Sequence, residues 1–270
     1  MNNTDIFRVS REYKKEDTVI SVGGFSAGSG NFSFIAGPCA VESYETAVEI
    51  AKKVKEAGAG MLRAGAFKPR TSPYTFQGMG REGLDILAAA GKEAGLPTVS
   101  EITDPRQLPL FESIDMLQVG TRNMQNYELL KELGGIDKPV LLKRGMGATL
   151  EEFLLSAEYI LAGGNEKVIL CERGIRTFGD DLRNTLDVGA ISLLKSKTHL
   201  PIIADPSHAA GIACAVPSLT FAAAAAGADG IMLEVHTNPG SSVSDPEQAL
   251  TPEAFSAVVK KTLEIREIIK

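Results

Sequence analysis

From Phe32 onward the chain repeats one unit eight times: a short apolar run, a loop and an amphipathic segment. The apolar runs cover residues 33–36, 61–64, 97–100, 114–119, 139–142, 167–171, 200–204 and 230–233. They are nearly continuous in apolar character, as expected of strands buried on both faces. The intervening segments start like helices. Thr149 with Glu152 three residues on fits a capping box. Asp104-Pro105 and Thr251-Pro252 each set a capping side chain before a proline at the first helical position. Gly58, Gly95, Gly134, Gly163 and Gly227 fall where helices would close. Eight such units in 270 residues match the size of an α/β fold of the (β/α)8 TIM-barrel type. An open doubly wound sheet is the rival, but no Gly-x-Gly-x-x-Gly turn follows the first strand.

Ahead of the barrel, residues 18–22 and 32–35 flank a Gly/Ser-rich turn at 23–30, which predicts a short β-hairpin capping the barrel bottom. The chain therefore divides into an N-terminal extension and hairpin, residues 1–31, and a (β/α)8 barrel, residues 32–270. Residues 1–17, polar and mixed in charge, are expected to be loosely held. Apolar content of 44%, charged content of 23% and a net charge of −6 describe an ordinary globular protein. They argue against a general nucleic-acid or membrane binder, and they make any local cluster of cations more informative. No apolar run approaches the ~18 residues of a membrane span. The polar N-terminus carries no secretory signal, and Cys39, Cys171 and Cys214 are too scattered for a disulfide framework, so a cytoplasmic location is expected.

In a barrel, the loops after the strands build the functional face. The second strand ends at Arg63 and runs into Lys68, Arg70, Thr71 and Ser72, where Pro69 and Pro73 forbid a helix. A solvated basic loop is one account of this stretch; a grip for a compact, multiply charged anion is the other. The remaining strand ends decide for the second, because Arg122, Lys143 and Arg173 fall at the same rim. Cations buried together would repel, so the ligands are expected to supply the missing negative charge, as phosphate or carboxylate groups. Barrel closure also sets the ends of strands seven, eight and one side by side. Cys39, His208, Glu234 and Asp245 could then surround one divalent ion, and their sulfur, nitrogen and oxygen donors suit Mn, Fe, Co or Zn. His236 is a lesser candidate ligand. His199, at the opposite end, is expected to be structural, as are Cys171 and Cys214, the last placed in an apolar helix.

With these residues assembled, the chain resembles 3-deoxy-D-arabino-heptulosonate 7-phosphate (DAHP) synthases of the short-barrel class. The matching stretches are Ala36-Gly37-Pro38-Cys39-Ala40-Val41-Glu42-Ser43, Lys68-Pro69-Arg70-Thr71-Ser72, Gln118-Val119-Gly120-Thr121-Arg122-Asn123, Leu142-Lys143-Arg144-Gly145 and Asp205-Pro206-Ser207-His208. Residues 18–270 are covered. The resemblance implies a transferase of the shikimate pathway that condenses phosphoenolpyruvate (PEP) with erythrose 4-phosphate and releases phosphate. It implies that Arg63 and Lys68 hold the PEP carboxylate, and that Arg122, Lys143 and Arg173 hold its phosphate. Glu101 would position a water, while Arg70, Thr71 and Ser72 grip the sugar phosphate. Cys39, His208, Glu234 and Asp245 would ligate the metal, with Lys68 or His208 moving protons. A homotetramer is implied by the resemblance alone.

The sister enzyme that uses arabinose 5-phosphate, KDO8P synthase, carries Lys-Ala-Asn-Arg where this chain has Lys68-Pro69-Arg70, which favours erythrose 4-phosphate. A non-catalytic barrel sensing phosphorylated metabolites would explain the cations but not four converging metal donors. Residues 1–31 are too few for a regulatory domain with its own core, so inhibition by Phe, Tyr or Trp is not expected.

Overall fold

The computed structural model describes residues 7–269. Gly23 and Gly24 reverse the chain in a two-residue turn, which pairs β1 (Ile20–Val22) antiparallel with β2 (Phe25–Ala27). The returning strand therefore lies inside the stretch read from sequence as a turn, and residues 32–35 belong to the barrel instead.

The barrel strands are β3 (Ser33–Gly37), β4 (Ala59–Arg63), β5 (Thr98–Ile102), β6 (Met116–Val119), β7 (Val140–Lys143), β8 (Val168–Glu172), β9 (Ile202–Ala204) and β10 (Gly230–Glu234). All eight are parallel, and β10 pairs with β3 to close the ring. The helices are α1 (Tyr44–Glu56), α2 (Arg81–Ala94), α3 (Tyr127–Gly134), α4 (Leu150–Ala162), α5 (Val188–Lys197), α6 (Pro206–Ala210), α7 (Val216–Ala225) and α8 (Pro252–Ile269). After β5 the chain forms a 3-10 helix over Pro105–Phe111, capped by Asp104. Pro109 inside it lacks the amide that a continuing α-helix would use. Thr149 and Glu152 form the expected reciprocal cap on α4.

Side chains alternate between two cores with the period of two that strands impose. Phe34, Leu62, Leu117, Leu142, Leu170, Ile202 and Leu233 face the helices. Ile35, Met61, Val99, Met116, Leu141, Ile169, Ile203 and Met232 fill the barrel interior. Stepping two residues on from the interior set gives Gly37, Arg63, Glu101, Gln118, Lys143, Cys171, Asp205 and Glu234. The lining thus changes from hydrocarbon to charge within about 7 Å, two strand residues. At the apolar end, Ile20, Phe25 and Ala27 of the hairpin pack into the interior cluster and seal it.

The expectation that residues 1–17 are loosely held fails from residue 8 onward; residues 1–6 lie outside the described residues. The Arg8 and Val9 amides donate to the Glu158 carboxylate of α4 at 2.9 and 2.8 Å, and Val9 is buried. Ser10 bridges to Thr198, and His199 joins Thr18 to the Arg8 carbonyl. The signal was invisible in sequence because the anchoring carboxylate lies about 150 residues away. Cys214 is a second correction: it lies exposed in the 3-10 turn Ala213–Ala215 before α7, not inside an apolar helix. No helix among the described residues is long and apolar enough to cross a membrane.

Candidate active site

Above the charged layer lies a cavity of about 550 Å³ at the C-terminal end of the strands. Its wall includes Arg63, Lys68, Arg70, Thr71, Ser72, Glu101, Arg122, Lys143, Arg173 and His208. Every residue singled out for binding phosphate or carboxylate therefore meets at one mouth. Thr71 and Arg122 are exposed, while Arg63, Lys143 and Arg173 are buried.

A chain of alternating charges crosses the cavity floor. Arg63 Nη1 donates to Glu234 Oε1 at 2.5 Å. His208 Nε2 lies 3.1 Å from the same oxygen. His208 Nδ1 is 2.7 Å from Asp205 Oδ2, which also accepts from the Lys143 ammonium. Two of the six rim cations are thus already paired with buried carboxylates, a correction to the expectation that ligands supply all the opposing charge. Arg173 is different: Nη2 donates to the His208 carbonyl at 3.1 Å, but its buried Nη1 has no partner among the described residues. A buried guanidinium nitrogen left unpaired at a cavity wall is a vacant donor for an anion.

Burial opposes charge on these groups, and their neighbours overcome it. Burial and Lys143 would lower the His208 pKa, but the Asp205 and Glu234 carboxylates raise it to about 9. Against burial, His208 and Lys143 hold Asp205 well below the ordinary carboxylate range, and His208 and Arg63 do the same for Glu234. The signs set a pH window. The raised His208 contributes stability that is fully present below its ordinary pKa of 6.5 and lost as pH rises through about 9. The depressed carboxylates contribute above their ordinary values and lose this as pH falls. At about 1.4 kcal/mol per unit, the His208 contribution is on the order of 3 kcal/mol. Chelated protein should therefore show a urea midpoint that declines between pH 6.5 and 9, and His208→Asn should flatten that decline. An unchanged midpoint across this range would refute the assignment.

Cys39 Sγ lies 2.9 Å from Asp245 Oδ2, 3.0 Å from Ser244 Oγ and 3.0 Å from the Lys68 ammonium. One donor atom from each of Cys39, His208, Glu234 and Asp245 falls within 4.8 Å of all the others. Donors on opposite sides of one ion, at about 2.0–2.3 Å each, stand about 4–4.6 Å apart, so the cluster has the size of a coordination sphere. The carboxylate on His208 Nδ1 leaves Nε2 facing the cluster, the usual arrangement of a ligating imidazole. His236, the lesser candidate, does not join: its Nδ1 accepts from the Asn238 amide at 2.9 Å and its Nε2 faces Glu42 at 3.3 Å.

Several contributors carried no role in the sequence reading. Asp205 stood within a quoted motif, three residues before His208, and that spacing was the available signal. Arg144 pairs with Glu172 and Asp187 at 2.9 Å each, and Glu172 in turn accepts from the Gly174 amide, bracing the loop that carries Arg173. Arg183 donates to Asp245 Oδ1 at 3.0 Å. Gly120 is fixed by close approach, since a Cβ there would come 1.9 Å from Glu101 Oε1. Gln118 Nε2 holds the other oxygen of Glu101 at 3.2 Å.

The DAHP synthetase I family model matches residues 12–270. The chain is 48% identical over 262 residues to phospho-2-dehydro-3-deoxyheptonate aldolase of Thermotoga maritima, covering 97% of this chain and 78% of that protein. The crystal structure of that enzyme superposes with a TM-score of 0.95 over 98% of this chain. A 2-dehydro-3-deoxyphosphooctonate aldolase of Desulfatibacillum aliphaticivorans is 33% identical over 252 residues, covering 86% of this chain and 91% of that protein. With its closed barrel, its cationic mouth and a match along nearly its whole length, the chain belongs to the DAHP synthetase I family.

Proposed function

We propose that the protein is a metal-dependent DAHP synthase, which joins PEP to erythrose 4-phosphate and releases inorganic phosphate. The observation that carries this is the meeting of the four-donor cluster with the cationic wall in one cavity. The donors fit a divalent ion of the Mn, Fe, Co or Zn class. When bound, such an ion supplies Lewis acidity toward a carbonyl oxygen.

The chain's own residues account for the rest. Arg63 and Lys68 face the PEP carboxylate, and Lys143 and Arg173 from the floor, with Arg122 from the rim, hold its phosphate. Arg70, fixed by the Phe76 carbonyl at 3.1 Å and by Ser244 at 2.5 Å, receives the sugar phosphate together with Thr71 and Ser72. Two anions that repel in water are thereby held side by side in reactive alignment. As PEP C3 forms its bond to the aldehyde carbon, positive charge develops at C2. Glu101, pressed against Gly120, steers a water to that carbon, and the resulting tetrahedral centre breaks its C–O bond to release phosphate. His208 has Nδ1 committed to Asp205 and Nε2 to the donor cluster, so neither nitrogen is left to move a proton. We assign that role to Lys68, whose ammonium lies between the Cys39 carbonyl at 2.9 Å and the cavity. A cytoplasmic location, supported by three unpaired cysteines, and a homotetrameric assembly belong to the same proposal.

Phosphate release from PEP, measured with erythrose 4-phosphate and arabinose 5-phosphate in competition, tests the reaction. Release is expected to require the four-carbon aldose and to stop on chelation. Preference for arabinose 5-phosphate would reassign the protein to the octulosonate branch, and binding without phosphate release would make it a sensor.

A further inference from the structure

Three of the four proposed metal donors sit on the barrel itself: Cys39 just beyond β3, His208 in α6 and Glu234 at the end of β10. Asp245 does not. It lies in an excursion that leaves the barrel at Val235 and rejoins it at Leu250, where these two residues bridge. Asp245 also has a φ of 51°, in the left-handed region that disfavours residues with a Cβ. Contacts from outside the excursion must hold it there.

Arg183 holds Asp245 itself and Arg70 holds Ser244, while Glu42 supplies three further contacts from the Cys39 side. It lies three residues after Cys39, and its carboxylate reaches across to the excursion. Oε1 accepts from Ser242 Oγ and from the Val243 amide, each at 3.0 Å. Oε2 lies 3.3 Å from His236 Nε2. Because His236 Nδ1 accepts from the Asn238 amide, the ring proton is on Nε2 and points at Glu42. One carboxylate thus gathers residues 236, 242 and 243. Ser244, next along, touches Cys39 Sγ, and Asp245 follows. Glu42 itself does not line the cavity.

We infer that Glu42 is a positioning residue for the metal site: it locks the excursion to the Cys39 turn, so that Asp245 arrives in register with the other three donors. This rests on the donor set assigned under the proposed function. The test titrates metal-free protein with Co(II) against a competing chelator, following thiolate-to-cobalt absorption and the ligand-field bands. It compares wild type, Glu42→Ala, Asp245→Ala and the double variant. Glu42→Ala should weaken Co(II) binding about 10–100-fold and shift the ligand-field bands, while the thiolate absorption persists because Cys39 is untouched. In the Asp245→Ala background the same change should cost less than about twofold, since the residue it acts through is gone. Equal losses in both backgrounds, or no loss in wild type, would overturn the inference. No effect of Asp245→Ala alone would overturn the donor set itself, and this inference with it. If Glu42→Ala does not fold, Ser242→Ala removes one of the three contacts and should show the same dependence on Asp245 at smaller amplitude.

Discussion

Cys39→Ala is expected to lower phosphate release by at least about a thousandfold, with the protein still folded. Stabilising charge on a carbonyl oxygen through a metal is worth several kcal/mol, and about 4 kcal/mol corresponds to three orders of magnitude in rate. Cys39 is the only sulfur in the donor cluster and supplies its softest ligand. Its removal also deprives Lys68 of one of two partners, leaving the Cys39 backbone carbonyl as the other. The thiol occupies little volume, so the structural cost should be small beside the loss of rate. Titrating the variant with Mn(II), Co(II) or Zn(II) should fail to restore wild-type turnover. Retention of more than about a tenth of the activity in chelated Cys39→Ala would remove metal from the chemistry, since a tenfold loss is only about 1.4 kcal/mol.

Asp205→Asn should be the most damaging single change to the fold of the site, costing about 3–5 kcal/mol of stability. Breaking a buried ion pair on one side strands the other charge, and the stranded group here is Lys143. Asp205 has two further duties: its Oδ1 caps α6 through the His208 amide at 3.0 Å, and its Oδ2 fixes the imidazole at 2.7 Å. The substitution should therefore also weaken metal binding about 10–100-fold, because the imidazole loses the carboxylate that orients it. Urea denaturation and metal titration read the two effects separately. Normal stability would mean that Lys143 has another anion, and normal affinity would mean that His208 is oriented from elsewhere.

The eightfold alternation of apolar runs made the barrel legible, because parallel strands buried on both faces leave few other ways to read such a chain. The period of two then carried the site: Met61 to Arg63, Leu141 to Lys143 and Met232 to Glu234 are each one inward step toward the mouth. The convergence of Cys39, His208, Glu234 and Asp245 followed from ring closure, but the ion pairs across the ring were not legible. Arg63 and Glu234 are 171 residues apart, and Lys143 and Asp205 are 62 apart. Nothing in a residue's neighbours along the chain says which loop will fold over it. Arg183 and Ser244 were missed for that reason, since both act from irregular segments whose course depends on what they pack against. The hairpin was half seen: its turn composition was visible, but the return strand hid inside the turn. The N-terminal anchor was lost because two backbone amides, which no side-chain pattern can reveal, make its contacts with Glu158.

The hairpin packed into the apolar end has a consequence for traffic. The packed interior, with Phe25 beneath it, leaves no passage along the barrel axis, so on the proposed function reactants and products would share the mouth above the strand ends. On the proposed seating, a molecule on the floor beside Lys143 and Arg173 would have to leave past one held against Arg70. The depth of each seat, and not only its affinity, would then govern the sequence of arrivals and departures.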